Sequence, residues 1–232
     1  MKAGQSQLQG VELPGLEHHQ GPEKIVPLCH KSEGRQSRHR RRDKRYHHSG
    51  INVEVAAATE RGIFVVNVPL GPVEAVAEYV AMALVALPRR AAQADHAIRN
   101  NDWDFRNRYS GPELLGKTLG IVGFGRIGRR IAEICSLGFR MNVIYSDVYP
   151  APPEEEARLK VRQVEFDNLL STADFISINV PLLENTHHFI NADAFNRMQP
   201  HAYLVNCSRG PVVEESALVD ALKNGKIAGA AI

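Results

Sequence analysis

From residue 50 onward the chain alternates short apolar runs with longer stretches in which apolar positions recur every three or four residues. The short runs suit buried strands, and the 3.6-residue recurrence marks amphipathic helices. The pattern predicts a helix over 53–61 closed by Gly62, a strand over 63–67, and an apolar, buried helix over 73–87 broken near Pro88. A polar, amphipathic stretch covers 89–108, and Ser110-Gly-Pro turns into a strand at 118–122. Next come a helix over 126–135, a strand over 141–145, a helix over 154–160 and an edge strand over 161–164. A helix over 166–171, a strand over 175–180, a helix over 191–198 and a strand over 203–206 follow. A helix over 214–223 stops at Asn224-Gly225, and a last strand starts at Ile227. Such alternation implies an α/β fold: a doubly wound parallel sheet with helices on both faces.

Residues 1–49 show neither period. Residues 1–50 carry ten Lys/Arg against five Asp/Glu, and six of the ten histidines fall there. The run Arg35-Gln-Ser-Arg-His-Arg-Arg-Arg-Asp-Lys-Arg-Tyr-His-His is strongly basic. A nucleic-acid or anionic-surface arm, or a localisation signal, is one reading. A solvated, disordered tail is the reading taken. The formal net charge of +2 conceals this asymmetry, since residues 51–232 carry 18 Lys/Arg against 21 Asp/Glu. The folded part is therefore mildly acidic and offers no nucleic-acid face.

With 44% apolar and 23% charged residues, the composition is that of an ordinary globular protein. The three cysteines, Cys29, Cys135 and Cys207, lack metal-ligand spacing and are odd in number. That favours free thiols, a reducing compartment and no metal site. No apolar run approaches the roughly 18 residues of a membrane span, and no signal-peptide core opens the chain. The expected setting is the cytoplasm, with no membrane partner.

The sharpest chemistry lies at residues 117–128, Lys-Thr-Leu-Gly-Ile-Val-Gly-Phe-Gly-Arg-Ile-Gly. Here a strand runs into Gly123-Phe-Gly125-Arg-Ile-Gly128 and straight on into a helix. That context gives a G-x-G-x-x-G match its force. Gly123 allows the tight turn, Gly125 lets a pyrophosphate approach the backbone, and Gly128 lets the helix pack closely on the strand. Amide groups at the helix start then face the phosphates, assisted by the helix dipole. A second signal is Asp147, 19 positions after Gly128 at the end of the next strand. An acid there accepts hydrogen bonds from the ribose hydroxyls and repels a 2′-phosphate, which favours NAD over NADP.

Ligands of open α/β sheets sit beyond the carboxyl ends of the strands. Two further ends carry suggestive residues, Val180-Pro181 and Asn206-Cys207-Ser208-Arg209-Gly210. A guanidinium on a short strand-end loop can grip a carboxylate with two parallel hydrogen bonds, which makes Arg209 a candidate.

Residues 50–232 resemble the D-isomer-specific 2-hydroxyacid dehydrogenases, a family that includes D-3-phosphoglycerate dehydrogenase and the glyoxylate/hydroxypyruvate reductases. The stretches that carry the resemblance are Asn52-Val-Glu-Val-Ala-Ala-Ala-Thr-Glu-Arg-Gly62, Ala75-Val-Ala-Glu-Tyr79 and the run from Leu115 to Gly128. The most specific run goes from Ala173-Asp-Phe-Ile-Ser-Ile-Asn-Val-Pro-Leu-Leu183 to Val205-Asn-Cys-Ser-Arg-Gly-Pro-Val-Val213. The resemblance implies a Rossmann NAD-binding domain at 89–232, preceded by a remnant of the substrate domain and its linking helix at 50–88, with the tail at 1–49.

It further implies that Arg126 and Ile127 give amides to the pyrophosphate and that Asp147 holds the adenine ribose. Val180, Pro181, Cys207 and Ser208 would line the cofactor cleft. Arg209 would bind the carboxylate and oxo group of a 2-oxo acid, the small-molecule partner. Hydride would pass between nicotinamide and carbonyl carbon, and the protein would be a homodimer. The family's proton-donating His and its Glu lie further along than 214–223. Its substrate domain also begins with about fifty residues of βαβα pattern, where this chain has the tail. The expectation is thus a chain truncated at both ends and catalytically incomplete. An NAD(H)-sensing, corepressor-like binding module is the alternative.

Overall fold

The structure, a computed structural model, describes residues 54–65 and 71–232. The expected tail at 1–49 and the ends of the first predicted helix and strand lie outside the described residues.

A six-stranded sheet forms the centre, in the order β3-β2-β1-β4-β5-β6. The strands are β1 (Thr118–Val122), β2 (Asn142–Ser146), β3 (Val161–Gln163), β4 (Phe175–Ile178), β5 (Tyr203–Asn206) and β6 (Gly229–Ala231). Every neighbouring pair is parallel; Gly120 of β1 stands opposite Ile144 of β2 and Ile176 of β4. The order reverses between β1 and β4, the switch point at which an open sheet of this kind forms its crevice.

Nine α-helices accompany the strands among the described residues. They are α1 (Val55–Glu60), α2 (Val73–Ala86), α3 (Ala91–Arg99), α4 (Phe105–Arg108), α5 (Arg126–Glu133), α6 (Pro153–Leu159), α7 (Phe166–Thr172), α8 (Ala192–Arg197) and α9 (Glu215–Lys223). Side chains alternate across each strand, so the sheet has two apolar faces. On one face Leu119, Ile121, Val143, Tyr145, Phe175 and Val205 pack with Val80 and Leu84 of α2, Ile131 of α5 and Leu159 of α6. On the other, Val122, Ile144, Ile176, Ile178 and Leu204 pack with Leu169 of α7, Phe195 of α8 and Leu218 of α9. Each such Leu or Ile, removed wholly from water, contributes about 1.5–3 kcal/mol of burial. That is what holds the strand ends in fixed register.

Three local expectations need amending. Ile63–Val65, the described part of the predicted strand at 63–67, is not in a strand, and Phe64 is 92% exposed. A β-branched run becomes a strand only beside a hydrogen-bonding neighbour, and no described strand lies there. The apolar helix at 73–87 buries one face alone: Ala77, Val80 and Leu84 are sealed in, whereas Tyr79, Met82 and Val85 stand exposed. The helix expected over 126–135 passes after Glu133 into a wide π turn over Ile134–Gly138, with Phe139 N–H donating to the Ile134 carbonyl. That widened turn tucks Cys135 and Ser136 into the interior.

Among the described residues no helix is long and apolar enough to cross a membrane. A bidentate ion pair from Arg130 of α5 to Glu74 of α2 ties these two helices together on one face of the sheet.

Candidate functional site

Because β2, β1, β4 and β5 are adjacent and parallel, their carboxyl ends stand along one edge of the sheet. Every residue singled out from the sequence for ligand contact lies on those four ends: Gly123–Gly128 after β1, Asp147 after β2, Val180-Pro181 after β4 and Cys207–Arg209 after β5.

The turn after β1 is built by close approaches. Gly123 has φ +92°, and a Cβ there would stand 2.9 Å from the Asn179 carbonyl group and from a Val180 methyl. The ends of β1 and β4 therefore touch at this glycine. A Cβ on Gly128 would come within 2.3 Å of the Gly123 carbonyl oxygen, so only glycine lets α5 lean so near the turn. Gly125 differs from both: a Cβ there would meet nothing within 4 Å. It opens onto free space, and α5 begins at it without a side-chain cap. The start of a helix is where backbone amides and the helix dipole favour an anion.

Asp147 closes the other side of this turn. Its Oδ2 accepts a 2.6 Å hydrogen bond from the Phe124 N–H, and its Oδ1 accepts one of 3.0 Å from the Tyr149 N–H. A carboxylate offers about four lone-pair directions, so two remain for ribose hydroxyls. The Gln163 amide donates to the Asp147 backbone carbonyl at 2.9 Å and fixes the backbone from the side of β3. An open glycine, an uncapped helix start and a half-buried acid at the neighbouring strand end are the features a dinucleotide needs, and the residues present fit it.

The loop after β5 is organised by Asn206, whose role is not readable from its place at the end of an apolar strand. Its Oδ1 accepts from the Ser208 N–H at 3.0 Å and from the Ser208 hydroxyl at 2.7 Å. Its Nδ2 donates to the Arg209 carbonyl at 3.0 Å. One buried amide thus closes the loop that presents Arg209. The Arg209 side chain is exposed and folds back so that Nη1 donates to the Ser208 carbonyl at 2.8 Å. Cys207, half-buried beneath, has its thiol pKa raised by burial.

The chain matches the family model described as D-isomer specific 2-hydroxyacid dehydrogenase, NAD binding domain, over residues 81–232. The chain belongs to this family. Among its relatives are a glyoxylate reductase of Thermofilum pendens, 42% identical over 184 residues, and a D-3-phosphoglycerate dehydrogenase of Methanocaldococcus jannaschii, 41% identical over 182. Those alignments take in 78% of this chain, but 54% and 34% of the two relatives. The chain thus spans about half or less of the curated relatives named here.

Among solved structures, the apo D-lactate dehydrogenase of Escherichia coli superposes with a TM-score of 0.72 at 35% identity, over 78% of this chain and 57% of that one. The D-lactate dehydrogenase of Lactobacillus jensenii, determined with NAD+, gives 0.68 at 31% identity, over 77% and 53%. The family, the α/β fold and the NAD-binding nature of the domain, each expected from the sequence, agree with these matches.

Other groups stand apart from this edge. His201 bonds Asp174 at 2.9 Å, ahead of β5 and β4 at the opposite ends of the strands. His187 and His188 stack on each other at 3.9 Å and are exposed. A broad depression of about 630 Å³ is lined by Ala92, His96, Asn100 and Phe105 among others, and includes none of the strand-end residues. Among the described residues no group of three or more His, Cys, Asp or Glu side chains is placed to hold a metal ion.

Proposed function

We propose that this chain supplies the NAD(H)-binding part of an oxidoreductase that interconverts a 2-hydroxy acid and its 2-oxo acid. The observation that carries the reading is the placing of Gly125, Asp147 and Arg209 after the carboxyl ends of β1, β2 and β5, along one edge of one parallel sheet. NAD, when bound, supplies or accepts the hydride. Arg126 and Ile127 hold the pyrophosphate through backbone amides at the start of α5, Gly123, Gly125 and Gly128 shape the turn that lets it approach, and Asp147 holds the ribose. Val180, Pro181, Cys207 and Ser208 line the cleft beside them. Arg209 grips the carboxylate of the acid and polarises its oxo group.

Domains follow the same reading: nucleotide binding at 89–232, substrate-domain chain at 50–88. The protein is taken as a cytoplasmic homodimer, supported by the exposed Tyr79, Met82 and Val85 along α2 and by the free thiols of Cys135 and Cys207. Sedimentation velocity tests the dimer.

The cofactor assignment is tested by titrating the purified chain with NADH and with NADPH, followed by calorimetry. Saturable NADH binding, with NADPH at least tenfold weaker, is expected. Absence of NADH binding would overturn the reading, and equal affinity for the two would remove Asp147 from the ribose site.

A further inference from the structure

Phe124, the residue between the first two glycines of the turn, is 3% exposed and fixed on every side. Its ring stacks on Tyr145 with centroids 3.9 Å apart. The Tyr145 hydroxyl is itself held, donating to Glu156 at 2.7 Å and accepting from the Ala151 N–H at 2.8 Å. The peptide before Phe124 is tied down through its N–H, which donates to Asp147. The peptide after it is tied down through its carbonyl, which accepts a 3.0 Å bond from Nε of Arg129.

Arg129 is in turn anchored from another element. Its Nη1 donates to Glu155, in the first turn of α6, at 2.5 Å, and its guanidinium carbon stands 5.8 Å from the Phe124 ring centroid. Its own backbone N–H donates to the Gly125 carbonyl at 2.9 Å. In a planar trans peptide the C=O and the following N–H point in opposite directions. Drawing the Phe124 carbonyl toward Arg129 therefore turns the Gly125 N–H to the other side.

We infer that Arg129, anchored by Glu155, is a positioning residue that presets the Gly123–Gly125 turn for a pyrophosphate. Without the anchor the Phe124–Gly125 peptide can rotate, and the turn must be ordered again each time a dinucleotide binds. The inference rests on the reading of 123–128 as the dinucleotide turn. Arg129 is 39% and Glu155 20% exposed in their side chains, so the pair adds little to global stability. Its effect falls on affinity. Lysine at 129 keeps the charge but has no planar fork to engage a carbonyl and a carboxylate together.

The test is calorimetric titration of the full 232-residue chain with NADH, alongside amide hydrogen exchange at Phe124 and Gly125. Arg129→Ala is expected to weaken NADH binding about five- to tenfold, the range of one well-placed hydrogen bond, and to speed exchange at Gly125. The β1 amides keep their protection. Arg129→Lys recovers less than half of the loss, and Glu155→Gln costs about two- to fourfold. The double variant binds no worse than Arg129→Ala alone, because the two side chains act as one unit.

A folded Arg129→Ala chain with wild-type NADH affinity would overturn the inference, as would multiplicative losses in the double variant. If Arg129→Ala does not fold, Glu155→Gln decides, and unchanged affinity there overturns it. A wild-type chain that binds NADH while the variants bind equally removes this inference alone. A wild-type chain that binds neither NADH nor ADP-ribose removes the proposed cofactor role as well.

Discussion

Asp147 and Phe124 lie 23 positions apart, at the ends of β2 and β1, and a 2.6 Å bond from the Phe124 amide to the Asp147 carboxylate joins them. The acid proposed to hold the ribose thus also shapes the turn proposed to hold the phosphates. Asp147→Asn keeps an acceptor for the amide and removes the charge. NADH affinity is expected to fall by about tenfold or more, the scale of a charged hydrogen bond. The preference for NADH over NADPH narrows at the same time, because the repulsion of a 2′-phosphate is gone. Paired titrations with the two cofactors check this.

The last two glycines of the turn, Gly125 and Gly128, separate folding from binding. A Cβ at Gly128 strikes a backbone oxygen at 2.3 Å, so Gly128→Ala is expected to cost about 1–3 kcal/mol of stability. A Cβ at Gly125 strikes nothing, and its φ of −74° suits any residue. Gly125→Ala should keep the urea midpoint of the parent while losing most of its NADH affinity.

The elements around this site are readable in the sequence where a short apolar run meets a residue that only one geometry explains. The strand at 118–122 and its glycine turn are of that kind, and so is the strand at 203–206, which appears at the residues the pattern indicates. The failures share a cause. Residues 63–65 have strand-like composition, but pairing is decided by a neighbour the local pattern does not contain. Arg129 and Glu155 are 26 positions apart and each looks like an ordinary surface charge until α5 and α6 are placed side by side. The one-sided burial of α2 is hidden because Tyr79, Met82 and Val85 are as apolar as the residues that face the sheet.

Charge pairing between α2, α5 and α6 makes stability pH-dependent. A hydrogen bond from Arg130 lowers the Glu74 pKa, and bonds from Arg158 and then Arg130 lower that of Glu133. For carboxyls lowered in the folded state, the contribution is full above the ordinary value of 4.5 and is lost as pH falls below it. The urea midpoint should therefore drop on acidification from pH 6 to about pH 3, and Arg130→Met should shrink that drop.

Burial pushes the Cys135 thiol up to about 12, and Cys207 is raised by burial as well. The thiolate is the reactive form, so at pH 8 iodoacetamide should leave Cys135 unlabelled in the folded chain and modify Cys207 slowly. Saturating NADH should slow Cys207 further, since it lies in the proposed cleft. Mass spectrometry of the labelled cysteines, with a denatured control, reads out each site.

Asn206 is 6% exposed and makes three hydrogen bonds into the loop of Cys207–Arg209, so its removal strands a backbone amide, a hydroxyl and a carbonyl together. Asn206→Ala is expected to cost about 1–3 kcal/mol, the range for unsatisfied buried polar groups. Asn206→Asp separates the two halves of its work. The carboxylate still accepts from Ser208 but cannot donate to Arg209, and its repulsion of that carbonyl should free the end of the loop. Urea unfolding should rank the stabilities as parent, then Asn206→Asp, then Asn206→Ala. Hydrogen exchange at Arg209 and Gly210 should quicken in both variants. NADH affinity should change far less than in Gly125→Ala, because Asn206 shapes the loop of the proposed substrate-binding Arg209 and the glycine turn is the proposed phosphate site. An Asn206→Ala chain as stable as the parent, with unchanged exchange at Arg209, would show that the loop holds its shape without this amide.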